Sequence, residues 1–154
     1  MTDFNQPLDK YAKAQRIVTD EQAIEAAKQV AAFALVKRDE RDQQRQLPFA
    51  VMDLFSQTGL GGIRIPKQYG GAEVSNRTLA DVFRILSKAD ANIGLIPQNQ
   101  ISLLNIINII GNDSQKRFIF GEILSGSRLA NGGPERDTKD SKTLATTLTI
   151  VAVF

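Results

Sequence analysis

The chain is most constrained by a stretch that cannot be helical. Gly59–Ser75, GLGGIRIPKQYGGAEVS, lies between segments that read as helix on both sides. It holds five glycines and a proline, and both residue types disfavour helix interiors. Gly59 stands where a helix C-terminus takes a left-handed residue. Ile63 and Ile65 alternate with polar neighbours, which predicts a few extended residues, and Pro66 pushes Ile65 the same way. Gly70-Gly71 makes a second turn, and Ser75 caps the following helix. A long connection carrying apolar residues packs against the body of the protein or lines a site.

The spacing Gly59-x-Gly61 does not extend to a dinucleotide-binding fingerprint. Residue 64 is Arg where the third glycine belongs, and the glycines follow a helix, whereas that fingerprint follows a strand.

Other function classes fall to composition. The 154 residues suit one domain with a real core. A net charge of +2, with no basic cluster interleaved with aromatics, argues against nucleic acid as a partner. With neither histidine nor cysteine, imidazole and thiolate ligands are excluded, so no metal site is expected. The missing cysteines agree with a cytoplasmic setting. Met1–Asn5 is polar and does not read as a signal peptide. The longest apolar block, Ile101–Ile110, is broken by Ser102, Asn105 and Asn108, and is too short and polar to span a bilayer. No membrane partner is expected.

Along the chain, residues 1–18 carry little pattern and are expected to trail over the surface. Thr19 with Gln22 starts the first helix. Its buried face holds Ile24, Ala27, Val30, Ala31, Ala34 and Leu35. The helix continues through a solvated charged end, residues 37–42, and stops near Leu47, where Pro48 opens a second helix to about residue 58. A third runs from Ser75, with Leu79, Val82, Phe83 and Leu86 inward. Asp90 caps a fourth, about 91–111, apolar almost all round; Pro97 either kinks it or sits in its first turn. Asn112 with Gln115 caps a short fifth helix to Leu124, and Ser125-Gly126 breaks it. Residues 20–125 should thus form a bundle of five or six helices with Ile101–Ile110 at its centre.

After residue 126 the character changes. Thr143–Phe154 is rich in Thr, Val, Ile and Leu, as strands are. A lone strand makes no stable sheet. Either it pairs with another chain, or the chain is a piece of something larger, and the second is expected. The domain reading is therefore a tail over 1–18, a helical domain over 19–126 and the start of a truncated β domain over 127–154.

These residues resemble a known family. Arg38-Asp39-Glu40-Arg41-Asp42 followed by Leu47-Pro48, and Gly59-Leu60 through Ile65-Pro66 to Tyr69-Gly70-Gly71-Ala72, are similar to the acyl-CoA dehydrogenases, whose second segment reads G-L-x-G-I-x-x-P-x-x-Y-G-G. Ala89–Gly94 and Pro97-Gln98-Asn99 resemble one branch, the flavin-dependent monooxygenases of sulfur acquisition and desulfurisation. The resemblance implies an all-α N-terminal bundle followed by a β domain and a C-terminal helical bundle, with flavin and substrate between them, usually in a homotetramer. It implies FAD or reduced FMN as cofactor, and a flavin reductase as partner in the monooxygenase branch.

The resemblance also implies site residues. Gln98, Asn99 and Gln100 match the substrate-facing segment, with Gln100 where that branch has His. Asn131 and Glu135 match positions beside the flavin, although Pro134 precedes the acid where a hydroxyl residue is usual. No catalytic residue is assigned. Simpler readings stand beside each. Gln98–Gln100 would meet backbone groups freed by Pro97, Asn131 would serve a turn, Tyr69 would be a packing anchor and Asp90 a cap. Two functions compete: a flavin-dependent oxidoreductase acting on a small organosulfur compound or acyl thioester, and a stand-alone helical interaction or scaffold module without catalysis. Either self-associates.

Overall fold

The computed structural model describes residues 14–131. Glu135 and the strand expected over 143–154 lie outside the described residues. Within them the fold is all-α, with α1 Asp20–Leu35, α2 Arg38–Gln43, α3 Phe49–Gln57, α4 Asn76–Ala89, α5 Ala91–Ile110 and α6 Asp113–Leu124. Two 3-10 turns, Leu60–Gly62 and Lys67–Tyr69, punctuate the long connection between α3 and α4.

Capping chemistry sets most boundaries. The Thr19 hydroxyl accepts from the Gln22 amide, and the Gln22 side chain accepts from the Val18 amide. Ser75 accepts from Thr78, and Asp90 accepts from Asn92 at 3.0 Å. Asn112 and Gln115 form a reciprocal capping box. Each satisfies amides that the first helical turn leaves unpaired. Pro48 takes the cap position rather than the first helical one.

Ala23, Ala27, Val30, Ala31 and Ala34 recur at helical spacing on α1 and face α4. α4 answers with Val82 and Leu86 and also packs on α5. Leu35, expected inside, is exposed.

The first helix does not run on to Leu47. It ends at Leu35, and Lys37 takes a left-handed conformation (φ 59°) before α2 begins. The cause is tertiary. Arg41 folds back to donate to the carbonyls of Ala34 and Val36 and pairs with Asp90 at 3.3 Å. Arg41 is 6% exposed, so the expectation of a solvated charged end fails at this residue. A buried arginine is tolerated because the carboxylate and two carbonyls replace its water.

Residues 15–17 do not trail over the surface. The Gln15 amide donates to Gln57 O at 2.7 Å, Arg16 donates to Gly70 O at 2.8 Å and Ile17 is buried.

The long connection lies inside the protein. Leu60, Ile63, Ile65 and Val74 are all buried. Amides of Glu73 and Val74 donate to the carbonyls of Ile65 and Ile63, at 3.1 and 3.0 Å, closing the loop on itself. Gly59 starts it at φ 81°, the left-handed conformation expected of a helix stop.

α5 departs from expectation. One side is central along most of the helix, with Ile93, Gly94, Pro97, Gln100, Ile101 and Leu104 buried. The other side and the C-terminal end are not, since Leu95, Ile96, Ile106, Ile109 and Ile110 are exposed. The helix is apolar around most of its circumference, but the described neighbours cover one side. The whole helix spans 20 residues and, by length and composition alone, is long enough to cross a bilayer. The ten-residue block considered from the sequence is only its second half.

Candidate functional site

Helical periodicity divides α5 into two faces. Ile93, Pro97, Gln100, Ile101 and Leu104 point into the bundle. Leu95, Gln98, Asn99 and Ile106 point out and are exposed. Gln98 reaches only along its own helix, donating to Ser102 Oγ at 3.3 Å. Gln98 and Gln100 bond to Ser102 and Gly61 and not to the carbonyl of Ile93 that Pro97 leaves without a donor.

Gln100 behaves differently from its neighbours. It is 4% exposed. Its amide nitrogen donates to Gly61 O at 2.9 Å, and its amide oxygen accepts from the Leu129 amide at 3.2 Å. This pairing fixes the orientation of the amide, because a flipped group would set oxygen against carbonyl oxygen and N–H against N–H. The approach also explains a glycine. A Cβ on Gly61 would lie 2.5 Å from the Gln100 amide nitrogen.

The bond to Leu129 brings the segment after α6 against the middle of α5. The same segment is tied elsewhere. The Ser127 amide and hydroxyl donate to the Glu122 carbonyl and carboxylate, both at 3.1 Å. Arg128 donates to Asp53 on α3 at 3.1 Å. Asn131 follows Leu129 by two residues, a reach of about 7 Å of extended chain, and its side chain is exposed. The described residues thus set Gln98 and Asn99 on the outer face of α5 and hold Gln100 within, against Leu129, while Asn131 lies exposed two residues further on.

Two further clusters were not anticipated. Tyr69 donates to Asp113 Oδ1 at 2.9 Å, and Arg117 donates to Asp113 Oδ2 at 2.8 Å. The Arg117 guanidinium sits 5.7 Å from the centre of the Tyr69 ring, which meets Phe120 edge-on. Tyr69 is a packing anchor as expected, but its hydroxyl meets a carboxylate. The second cluster is Arg41 with Asp90, at the edge of a surface cavity of about 480 Å³ that Arg38, Arg45, Leu47 and Ile96 also line. Arg38 pairs with Asp39, and Arg41 with Asp90, so two of its three arginines are already neutralised.

Hydrogen bonds set the protonation of the surface carboxylates and of Tyr69. The Arg117 and Tyr69 hydrogen bonds hold the Asp113 carboxyl below its usual range. Bonds from Thr78 and Ser75 do the same for Asp20. The bond to Asp113 pushes the Tyr69 hydroxyl up. Each shift moves away from neutrality, whereas a general acid or base is tuned towards it. Among the described residues no group of three acidic, His or Cys side chains could hold a metal.

Residues 18–127 match the acyl-CoA dehydrogenase N-terminal domain, and the chain belongs to this family of flavin-dependent oxidoreductases. A 3-(aryl)acrylate reductase of Clostridium sporogenes (strain ATCC 15579) is 30% identical over 91 residues, which is 58% of this chain and 24% of that relative. The match therefore spans about a quarter of the relative's length. No solved structure matches the chain.

The exposed residues of this region combine amides with apolar surface. Gln98, Asn99 and Asn131 offer amide donors and acceptors, and Leu95 and Ile106 offer apolar surface. Flavin, when bound, supplies the redox chemistry. These residues would orient it and exclude water on that side.

Proposed function

We propose that this chain forms the N-terminal helical wall of a flavin-dependent oxidoreductase. Gln98 and Asn99 face the substrate, while Asn131 and Glu135 face the flavin, either FAD or reduced FMN. The observation that carries the reading is the Gln100–Leu129 bond. It ties Leu129, two residues before Asn131, to the residue that follows Gln98 and Asn99 on α5, which supports placing the three on one wall. The class of reaction is exchange of two electrons and two protons between flavin and the Cα–Cβ bond of an acyl thioester or acrylate-type acid, as the relative's name suggests.

A second reading, oxygenation of a small organosulfur compound with reduced FMN from a flavin reductase, is favoured by the likeness of Ala89–Gly94 and Pro97–Asn99 to the monooxygenase branch. The protein works in the cytoplasm and self-associates through apolar residues such as Ile109 and Ile110. A stand-alone scaffold would share the fold and the self-association but not the flavin contact.

Amide chemical shifts of the 15N-labelled chain separate these. Millimolar FMN or FAD should shift Gln98, Asn99 and Asn131 selectively, because one wall makes a weak but localised contact. Shifts scattered over the surface, or none, would favour the scaffold.

A further inference from the structure

We propose that Gln100 is a positioning residue that sets where the chain leaves the helical domain, and so where Asn131 stands relative to Gln98 and Asn99. This rests on the flavin-wall reading above and reassigns the one glutamine of Gln98–Gln100 that does not face outward.

Gly61 O is buried in the first 3-10 turn, and the described structure gives it Gln100 as a hydrogen-bond donor. The Leu129 amide is likewise held by Gln100 oxygen. One side chain thus joins three segments distant in sequence: the glycine-rich connection, the third turn of α5 and the exit after α6. A buried polar atom without a partner is unfavourable, so the exit segment is biased to dock where the amide oxygen waits for it. Of the other two ties, Ser127 with Glu122 is exposed, and Arg128, itself 41% exposed, reaches a largely buried Asp53. Gln100 is the tie whose side chain lies wholly in the interior and meets two backbone groups. Nothing about this role requires Gln100 to touch substrate or flavin, and both ends of its side chain are engaged where it lies.

The test uses the full 154-residue chain. In Gln100→Leu, amide exchange at Leu129 should rise at least tenfold relative to the change at Val30 and Leu86. The selective FMN shift at Asn131 should vanish while that at Gln98 persists. Gln100→Glu keeps an acceptor for Leu129 but donates to Gly61 only when protonated. Burial and the facing carbonyl favour that protonated form. Protection at Leu129 and Gly62 in this variant should match wild type at pH 5 and fall at pH 8, after correction for intrinsic exchange, whereas wild type stays flat.

Equal loosening of Leu129, Val30 and Leu86 in Gln100→Leu would overturn the proposal, because Gln100 would then be an ordinary core residue. So would an FMN shift at Asn131 that survives Gln100→Leu. If wild type shows no FMN response at all, the flavin-wall reading fails separately, and the exchange pattern alone decides whether Gln100 positions the exit.

Discussion

The glycine-rich connection and α5 treat similar apolar side chains in opposite ways. In the connection Leu60 and Ile65 are 0% exposed, while at the end of α5 Ile109 is 80% exposed. Five glycines let the backbone of the connection turn tightly enough to send its isoleucines inward and close on itself. α5 cannot do this. A straight helix distributes its side chains around 360°, and α4, α6 and the connection cover one side of it. The connection therefore serves stability, and the outer side of α5 is available for contact with flavin, substrate or another protein surface.

The largest expected effect tests that division. Leu60→Ala should destabilise the chain by about 2–5 kcal/mol, as large-to-small changes in cores do, and Ile109→Ala by less than about 0.5 kcal/mol, as at exposed positions. Urea midpoints at constant m-value measure both. Equal losses would mean that the outer end of α5 is covered.

A smaller effect is expected at the junction of the two regions. Gln100→Leu should cost about 1–3 kcal/mol, because it leaves the buried Gly61 carbonyl without a donor. The same unfolding experiment reads it, and a neutral result would argue that water replaces the amide.

Third in size is the dependence on pH. Asp113 and Asp20 have folded-state pKa values lowered by their hydrogen bonds. Their contribution is present above the unfolded carboxylate range, near about pH 4, and is lost as pH falls through the lower folded values. Stability should decline on acidification below about pH 4, and Asp113→Asn should flatten part of that decline. Thermal melts from pH 2 to 6 follow it. Because Asp113 pairs with Arg117 at the surface, salt should weaken its share, whereas the hydroxyl bonds to Asp20 should respond less.

The smallest effect concerns assembly. Ile109→Lys with Ile110→Lys should leave the melting temperature almost unchanged and reduce self-association in light scattering. A wild-type chain that is monodisperse and monomeric at high micromolar concentration would remove the reason for the substitutions.

What could be read from the sequence followed local chemistry. Ser75, Asp90 and the Asn112–Gln115 pair gave their helix starts because a cap acts within three residues. The break at Lys37 was hidden, since nothing within residues 35–38 requires it. It follows from Arg41 reaching the end of α1 and Asp90, 49 residues away. The burial of the connection was half visible in the alternation of Ile63 and Ile65, although those residues sit in turns and a bend. The exposed end of α5 was hidden because a helix apolar all round carries no moment to say which side is covered.

The site divides in the same way. Gln98, Asn99, Gln100 and Asn131 were named through family likeness, which does not separate inward from outward. Only once the covered side of α5 is known does its periodicity separate them. Gln100 follows Ile93 by seven residues and Pro97 by three, and precedes Leu104 by four, so it lies on the apolar stripe with a polar group that needs partners. Gly61 as one of those partners, and the Tyr69–Asp113–Arg117 cluster, depend on contacts across 39 and 44 residues, beyond any local pattern.

The flavin site proposed above is one open wall and not a closed pocket. Sites that hold small molecules tightly bury most of the ligand's surface, and one wall leaves the flavin ring largely in water. Titration of the 154-residue chain with FMN and with FAD, followed by flavin fluorescence, tests this directly. No saturation is expected below about 100 μM, a free energy weaker than about −5.5 kcal/mol. Saturable micromolar binding would contradict it, because the chain would then complete a flavin pocket by itself or across a dimer.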